Sequence, residues 1–98
     1  MKIHNKNVPA SEIIEFRDKR NWGVHHTPSN LAKSISIESA ELLELYQWND
    51  GDQDIERVKE ELADILIYSI TLAERLKLDI NDIIREKINK NGIKYPIK

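Results

Sequence analysis

The chain predicts an all-α fold, a bundle of four to five helices, and three observations lead there. Apolar residues recur at three- and four-residue spacing through two long stretches, Leu31 to Leu45 and Val58 to Leu76, the period of a helix with one buried face. Helix-starting signals, Thr27-Pro28, Asp54 and Asp79, stand just ahead of periodic segments. No alternating strand pattern, internal repeat or low-complexity segment competes with them. At 98 residues the chain reads as one domain, 1–98, near the size at which a single chain buries only a modest core. Completion of that core by association, as a homodimer or homotetramer, is therefore expected.

The elements follow in order. After a polar lead to Pro9, Ser11 is the expected N-cap of a helix through about Arg20, to which Ile13, Ile14 and Phe16 contribute apolar surface. The loop from Asn21 to Thr27 holds one of two tryptophans and two of three histidines. Thr27 as N-cap and Pro28 in the first turn open a long helix to about Trp48, and Asn49-Asp50-Gly51-Asp52 ends it as a turn. Asp54 caps a third helix, about Ile55 to Lys77. Its Ile65, Leu66, Ile67, Ile70 and Leu72 put apolar surface on more than one face, so one side is expected to meet a second subunit. Asp79 caps the last helix with Asp82 in a capping-box-like position, and Gly92 is expected to close it before Ile93-Lys94-Tyr95-Pro96.

Two of these helices carry acids three residues apart: Glu38 with Glu41, and Glu61 with Asp64. Positions i and i+3 project from neighbouring points of one helical face, so each pair makes a two-pronged set of oxygens. On a helix advancing about 100° per residue, Glu38 falls inside the arc of Leu31, Ile35, Leu42 and Leu45, with Glu41 on its flank. In the third helix Glu61, Asp64 and Tyr68 edge the stripe of Val58, Leu62, Ile65, Leu72 and Leu76. Four partly buried carboxylates repel one another unless a cation sits among them. Hard oxygen donors suit magnesium, with manganese as the alternative ion.

Composition narrows the class. Charged residues make up 33% of the chain, yet the formal net charge is only −2 and no basic stripe appears, which argues against a general nucleic-acid binder. There is no cysteine, so disulfides and zinc–thiolate sites are excluded. No stretch approaches the roughly 20 apolar residues that span a bilayer, and residues 1–7 are polar. No membrane partner and a cytoplasmic location are expected.

Taken together, Glu38-x-x-Glu41 and Glu61-x-x-Asp64 on paired helices resemble the signature of the MazG-like all-α nucleoside triphosphate pyrophosphohydrolases. Four further segments resemble the dCTP pyrophosphatase branch: Trp22-Gly-Val-His-His26-Thr-Pro-Ser-Asn30, Glu41-Leu-Leu-Glu-Leu-Tyr-Gln-Trp48, Glu60-Glu-Leu-Ala-Asp-Ile-Leu-Ile-Tyr68 and Lys87-Ile-Asn-Lys-Asn91-Gly-Ile-Lys94-Tyr95-Pro96. The resemblance spans most of the chain. It implies that Glu38, Glu41, Glu61 and Asp64 are catalytic and bind magnesium. It implies further that Trp22, His26, Asn30, Trp48 and Tyr68 surround a nucleotide, while Lys87, Asn91, Lys94 and Tyr95 make phosphate-side contacts. The chain departs from that branch at Ile13, where dCTP-specific relatives can carry a base-contacting histidine, and in a shorter turn at Gly51.

The chemistry expected of these residues is hydrolysis of a nucleoside triphosphate, dCTP-like pyrimidine deoxynucleotides first, to monophosphate and pyrophosphate. Concentrated negative charge is the main obstacle, and a metal centre with a nearby acid to accept a proton meets it. Glu41 and Glu38 are the candidate bases. A dUTP-directed or broad activity is the alternative within the class, and a non-catalytic helical interaction module the alternative outside it. A di-iron bundle fails by inspection, because none of His4, His25 and His26 stands three residues after a glutamate.

Overall fold

The computed structural model describes residues 9–48 and 54–98. Four α-helices and one short 3₁₀ turn make up the described chain: α1 Ala10–Lys19, a 3₁₀ turn Trp22–His25, α2 Pro28–Glu44, α3 Ile55–Arg75 and α4 Ile80–Lys94. No strand occurs among these residues. The expected turn at 49–52 lies outside them.

The expected caps hold for three helices. Thr27 accepts the Asn30 N–H with Pro28 behind it, Asp54 accepts the Glu56 N–H, and Asp79 accepts the Asp82 N–H at 3.0 Å. Ser11 is not a cap. The Pro9 carbonyl receives the Ile13 N–H, which puts the start of α1 at Ala10 and Ser11 inside it. Gly92 does not end α4 either. The helix runs through it to Lys94, and Tyr95 N–H still reaches the Asn91 carbonyl at 2.7 Å. Helix α3 closes where Lys77 turns left-handed (φ 58°) and Leu78 N–H bonds back to the Ala73 carbonyl at 2.8 Å, a Schellman ending built without glycine.

Helices α2 and α3 form the principal pair, with α1 laid against α3. The inward arc of α2 is as the spacing requires: Leu31 is 1% exposed, and Ile35, Glu38, Leu42 and Leu45 are half-buried. On α3 the inward side is Val58, Glu61, Ile65, Tyr68 and Leu72, leading into buried Ile70, Thr71 and Ala73. Leu62 and Leu76, assigned to that stripe by spacing, are instead exposed. Leu62 lies roughly a quarter-turn beyond the α2 contact, where no other helix among the described residues covers it. Helix α4 touches α3 sparingly and leaves Ile84, Ile88 and Ile93 exposed.

Candidate active site

Close packing of α2 on α3 brings the two acid pairs together. Oxygens of Glu38, Glu61 and Asp64 lie within 4.8 Å of one another. Glu41 sits beside Glu38 but outside this tight group of three, on the exposed flank. The expectation of four partly buried acids thus resolves into two half-buried glutamates, Glu38 and Glu61, with Asp64 and Glu41 exposed. The reason is geometric. Only one member of each i, i+3 pair can point straight at the facing helix, and the other is displaced by about 60°.

One oxygen of Glu38 and one of Glu61, Oε2 in each case, is buried without a hydrogen-bond partner. Two unpartnered acceptors within one acid group cost free energy unless a proton or a cation lies among them. Burial first, and then the Glu61 and Glu41 carboxyls beside it, push the Glu38 carboxyl up to about 7. The donor set is all hard oxygen, so the residues present fit magnesium or manganese.

A stability prediction follows with a definite sign. The folded state holds a proton on Glu38 that the unfolded chain releases, so without divalent cation this group's stabilisation is present at low pH and lost as pH rises from the usual carboxylate range through about 7. In thermal melts with chelator, Tm should therefore fall between pH about 5 and about 8. Magnesium or manganese should raise Tm by several degrees at the upper pH and little at the lower, because protons then compete for the same oxygens. A Tm that ignores cation at every pH would remove the metal assignment.

Beside the acids, α1, the 3₁₀ turn and α3 enclose a cavity of about 430 Å³, in the size range of small-molecule sites. Asp64 belongs to both the acid group and the cavity wall, and Tyr68 in that wall feels the charge of Glu38, Asp64 and Glu41. Burial, then Glu38, Asp64 and Glu41, hold the Tyr68 phenol above its ordinary range, so it stays protonated as a donor. His26 meets the Tyr68 ring edge-on, centroids 6.4 Å apart. Its Nδ1 is buried without a partner. Burial, with the positive charge of Arg17 next, lowers its pKa and keeps the ring neutral. Trp22 lines the cavity and is braced by Phe16, edge-on at 5.7 Å, under the Arg20 guanidinium.

Not every expected residue arrives. Asn30 donates its side-chain amide to the His25 carbonyl at 3.0 Å, which ties the 3₁₀ turn to the start of α2 and so positions His26. Trp48 does not line the cavity and is 88% exposed. Its expected azimuth beside Glu41 assumed a helix to Trp48, but α2 ends at Glu44 and the chain tightens into i→i−3 bonds at Leu45, Tyr46 and Gln47. Lys87, Asn91 and Lys94 share one face of α4 and Tyr95 follows just past its end, all exposed and none of them in the cavity lining. The residues that spacing missed are Ile67, Thr71 and, above all, Arg17, a cation one turn after Ile13 on the apolar side of α1. That interruption of an apolar face was the available signal.

A helix pair presenting converged carboxylates beside an aromatic-lined slot defines an all-α carboxylate-site protein. The chain belongs to the MazG-like family, whose model matches residues 33–98. It is similar to dCTP pyrophosphatase 1 of Rattus norvegicus (37% identical, 85% of this chain and 54% of that protein) and of Homo sapiens (35%, 84% and 54%). The chain thus spans about half the length of the curated relatives it matches. A crystal structure of a pyrophosphatase from Archaeoglobus fulgidus is 40% identical over 98% of this chain and 100% of that one, with a TM-score of 0.83.

Proposed function

We propose that this chain is a magnesium-dependent nucleoside triphosphate pyrophosphohydrolase, preferring dCTP-like pyrimidine deoxynucleotides, working as a homodimer or homotetramer in the cytoplasm. The observation that carries the reading is the shared position of Asp64, which closes the three-acid group on one side and the cavity on the other. A nucleotide set there would lay its phosphates at the acids and its base among Trp22, His26 and Tyr68. The names of the similar proteins, dCTP pyrophosphatase and pyrophosphatase, agree with that chemistry. Among the described residues no helix is long and apolar enough to cross a membrane.

Magnesium held by Glu38, Glu61 and Asp64 would supply the positive charge that a triphosphate needs to approach these acids and to break an anhydride bond. The remaining work falls to the chain. Glu41, next to the group but outside it, is the acid best placed to take the proton of a water directed at the α-phosphorus. Protonated Tyr68 donates to substrate oxygens at the junction. Trp22 offers an aromatic edge or face to the base. The exposed Trp48, the Lys87, Asn91, Lys94 face of α4 and Tyr95 after it are left for contacts made from the open side or by a neighbouring copy.

The test is pyrophosphate release from a panel of ribo- and deoxynucleoside triphosphates, with magnesium and with chelator. Cation-dependent release of pyrophosphate together with the monophosphate, fastest for a pyrimidine deoxynucleotide, is the expected result. Phosphate release would sink the reading in favour of a different hydrolysis, and no turnover with any nucleotide would favour an interaction module.

A further inference from the structure

We propose that α1 is a lid over the cavity and that the Arg17–Glu74 ion pair is its latch, with Arg17 acting as a positioning residue and not as a contact to the ligand. What the lid encloses rests on the nucleotide reading above; that it opens and is latched does not.

Helix α1 is held by a charge instead of an apolar seam. Of its residues only Arg17 is buried, at 7% exposure, while Ile13 and Ile14 are half-buried and Phe16 is exposed. The guanidinium reaches across to α3, where Nη1 donates to Glu74 Oε2 at 2.8 Å, and Asp18 Oδ1 steadies Nε and Nη2 at 3.0 Å from within α1. Its stem runs beside the 3₁₀ turn, with Nε 3.7 Å from where a Cβ on Gly23 would stand. One side chain thus joins α1, the turn and α3. On either side of that join the seam is open. The cavity of about 430 Å³ lies toward Ile13, Phe16 and Thr71, and a second of about 330 Å³ lies toward Ala10, Ile70 and Ala73. Arg17 borders the first and Glu74 the second, so the ion pair crosses from one to the other.

That construction suits a part that opens and shuts. Interdigitated apolar surfaces lose their whole close-packed contact on separating, whereas a single ion pair breaks at one point and each charge then takes water. The Glu74 side chain is 43% exposed, so water already reaches its carboxylate. A buried ion pair adds little stability over an apolar pair of similar volume, and its best-attested use is to fix one arrangement among alternatives. A pivot is also present. The chain leaves α1 through Asn21, in the left-handed region at φ 55°, a conformation asparagine tolerates. Beyond it the turn is anchored separately, by the Asn30 amide on the His25 carbonyl at 3.0 Å. Helix α1 can therefore swing about Asn21 while the turn stays on α2. The four acids lie on α2 and α3 and do not move with it. Opening frees the way to Ile67, Tyr68 and Thr71, and closing brings Ile13 and Phe16 down on what has entered.

Hydrogen exchange read by mass spectrometry on the ligand-free chain tests the latch without any nucleotide. It compares the unaltered chain with Glu74→Gln, Arg17→Gln and the two combined. In either single variant the amides of α1 should exchange about tenfold faster, the lower end for loss of a hydrogen bond to a charged partner, while those of α2 and α3 keep their rates. The combined variant should exchange within about threefold of the singles, because both remove the same interaction. In kinetics, Glu74→Gln should raise KM for the preferred triphosphate about tenfold and keep kcat within threefold, since the lid holds the ligand and the acids act on it. Unchanged α1 exchange in Glu74→Gln, or an equal rise in α1, α2 and α3, would overturn the latch, as would a combined variant whose effect is the product of the singles. A fall in kcat at unchanged KM would also overturn it, by placing the ion pair in the chemistry. If no triphosphate is hydrolysed while α1 exchange responds as expected, the hydrolase reading falls and the latch stands.

Discussion

Asp64→Asn should cut kcat/KM for the preferred triphosphate by on the order of 10²–10³-fold and leave the fold untouched. The substitution keeps shape and removes one charge. Asp64 is exposed and makes no hydrogen bond to the rest of the chain among the described residues, so nothing in the fold depends on its ionisation. At the site its loss matters twice, because the same carboxylate completes the oxygen group and borders the cavity. A metal centre contributes several kcal/mol of charge stabilisation in the transition state, and each ~1.4 kcal/mol lost is a factor of about ten. Glu61→Gln should lose activity similarly but behave differently in stability. It removes one of the two half-buried carboxylates that converge in the acid group, so the chelated protein should melt higher at neutral pH than the unaltered chain. Pyrophosphate-release kinetics at saturating magnesium and melts in chelator check both. Activity of Asp64→Asn within threefold of normal would show that the converged oxygens are not the reacting centre.

The physical basis of what could be read in the sequence is visible in the same residues. Helical period and caps are local properties, so α2, α3 and α4 start where Thr27, Asp54 and Asp79 require. The inward tilt of Glu38 and Glu61 follows from their place on the apolar arcs. What spacing cannot give is the depth of packing across elements distant in sequence. Arg17 and Glu74 are 57 residues apart, and nothing near either one announces the other. Helix ends without a strong signal were equally hidden. Gly92 is a common stop, but α4 tolerates it at a cost of about 1 kcal/mol, whereas α2 stops at Glu44 with neither glycine nor proline at its end. That early stop is why Trp48 swings away from the azimuth its sequence position implies. Family resemblance supplied roles for Trp48 and the α4 lysine face that the geometry of one chain does not display.

Leu62→Glu with Leu66→Glu should split the homo-oligomer we propose. These leucines stand one turn apart on α3, 47% and 52% exposed, on the flank of the helix a quarter-turn or more beyond the α2 contact. Among the described residues the buried apolar core is only Leu31, Ile70 and Ala73. Helices of this length do not persist on so little buried surface, and an apolar face left open in a monomer marks an interface. The magnitude follows from area. Burying what remains exposed of each leucine is worth about 1 kcal/mol, and a twofold axis presents four of them, so about 4 kcal/mol is lost. The dissociation constant should rise on the order of 10³-fold, before repulsion between the new carboxylates adds to it. Sedimentation equilibrium should then show a shift to monomer at micromolar protein, with a lowered and concentration-dependent Tm. Val24→Glu is the control, since Val24 is more open still, at 76% exposed, but stands apart on the 3₁₀ turn, and it should leave the mass unchanged. A double glutamate variant of unaltered mass and Tm would mean that this face of α3 is not where copies of the chain meet.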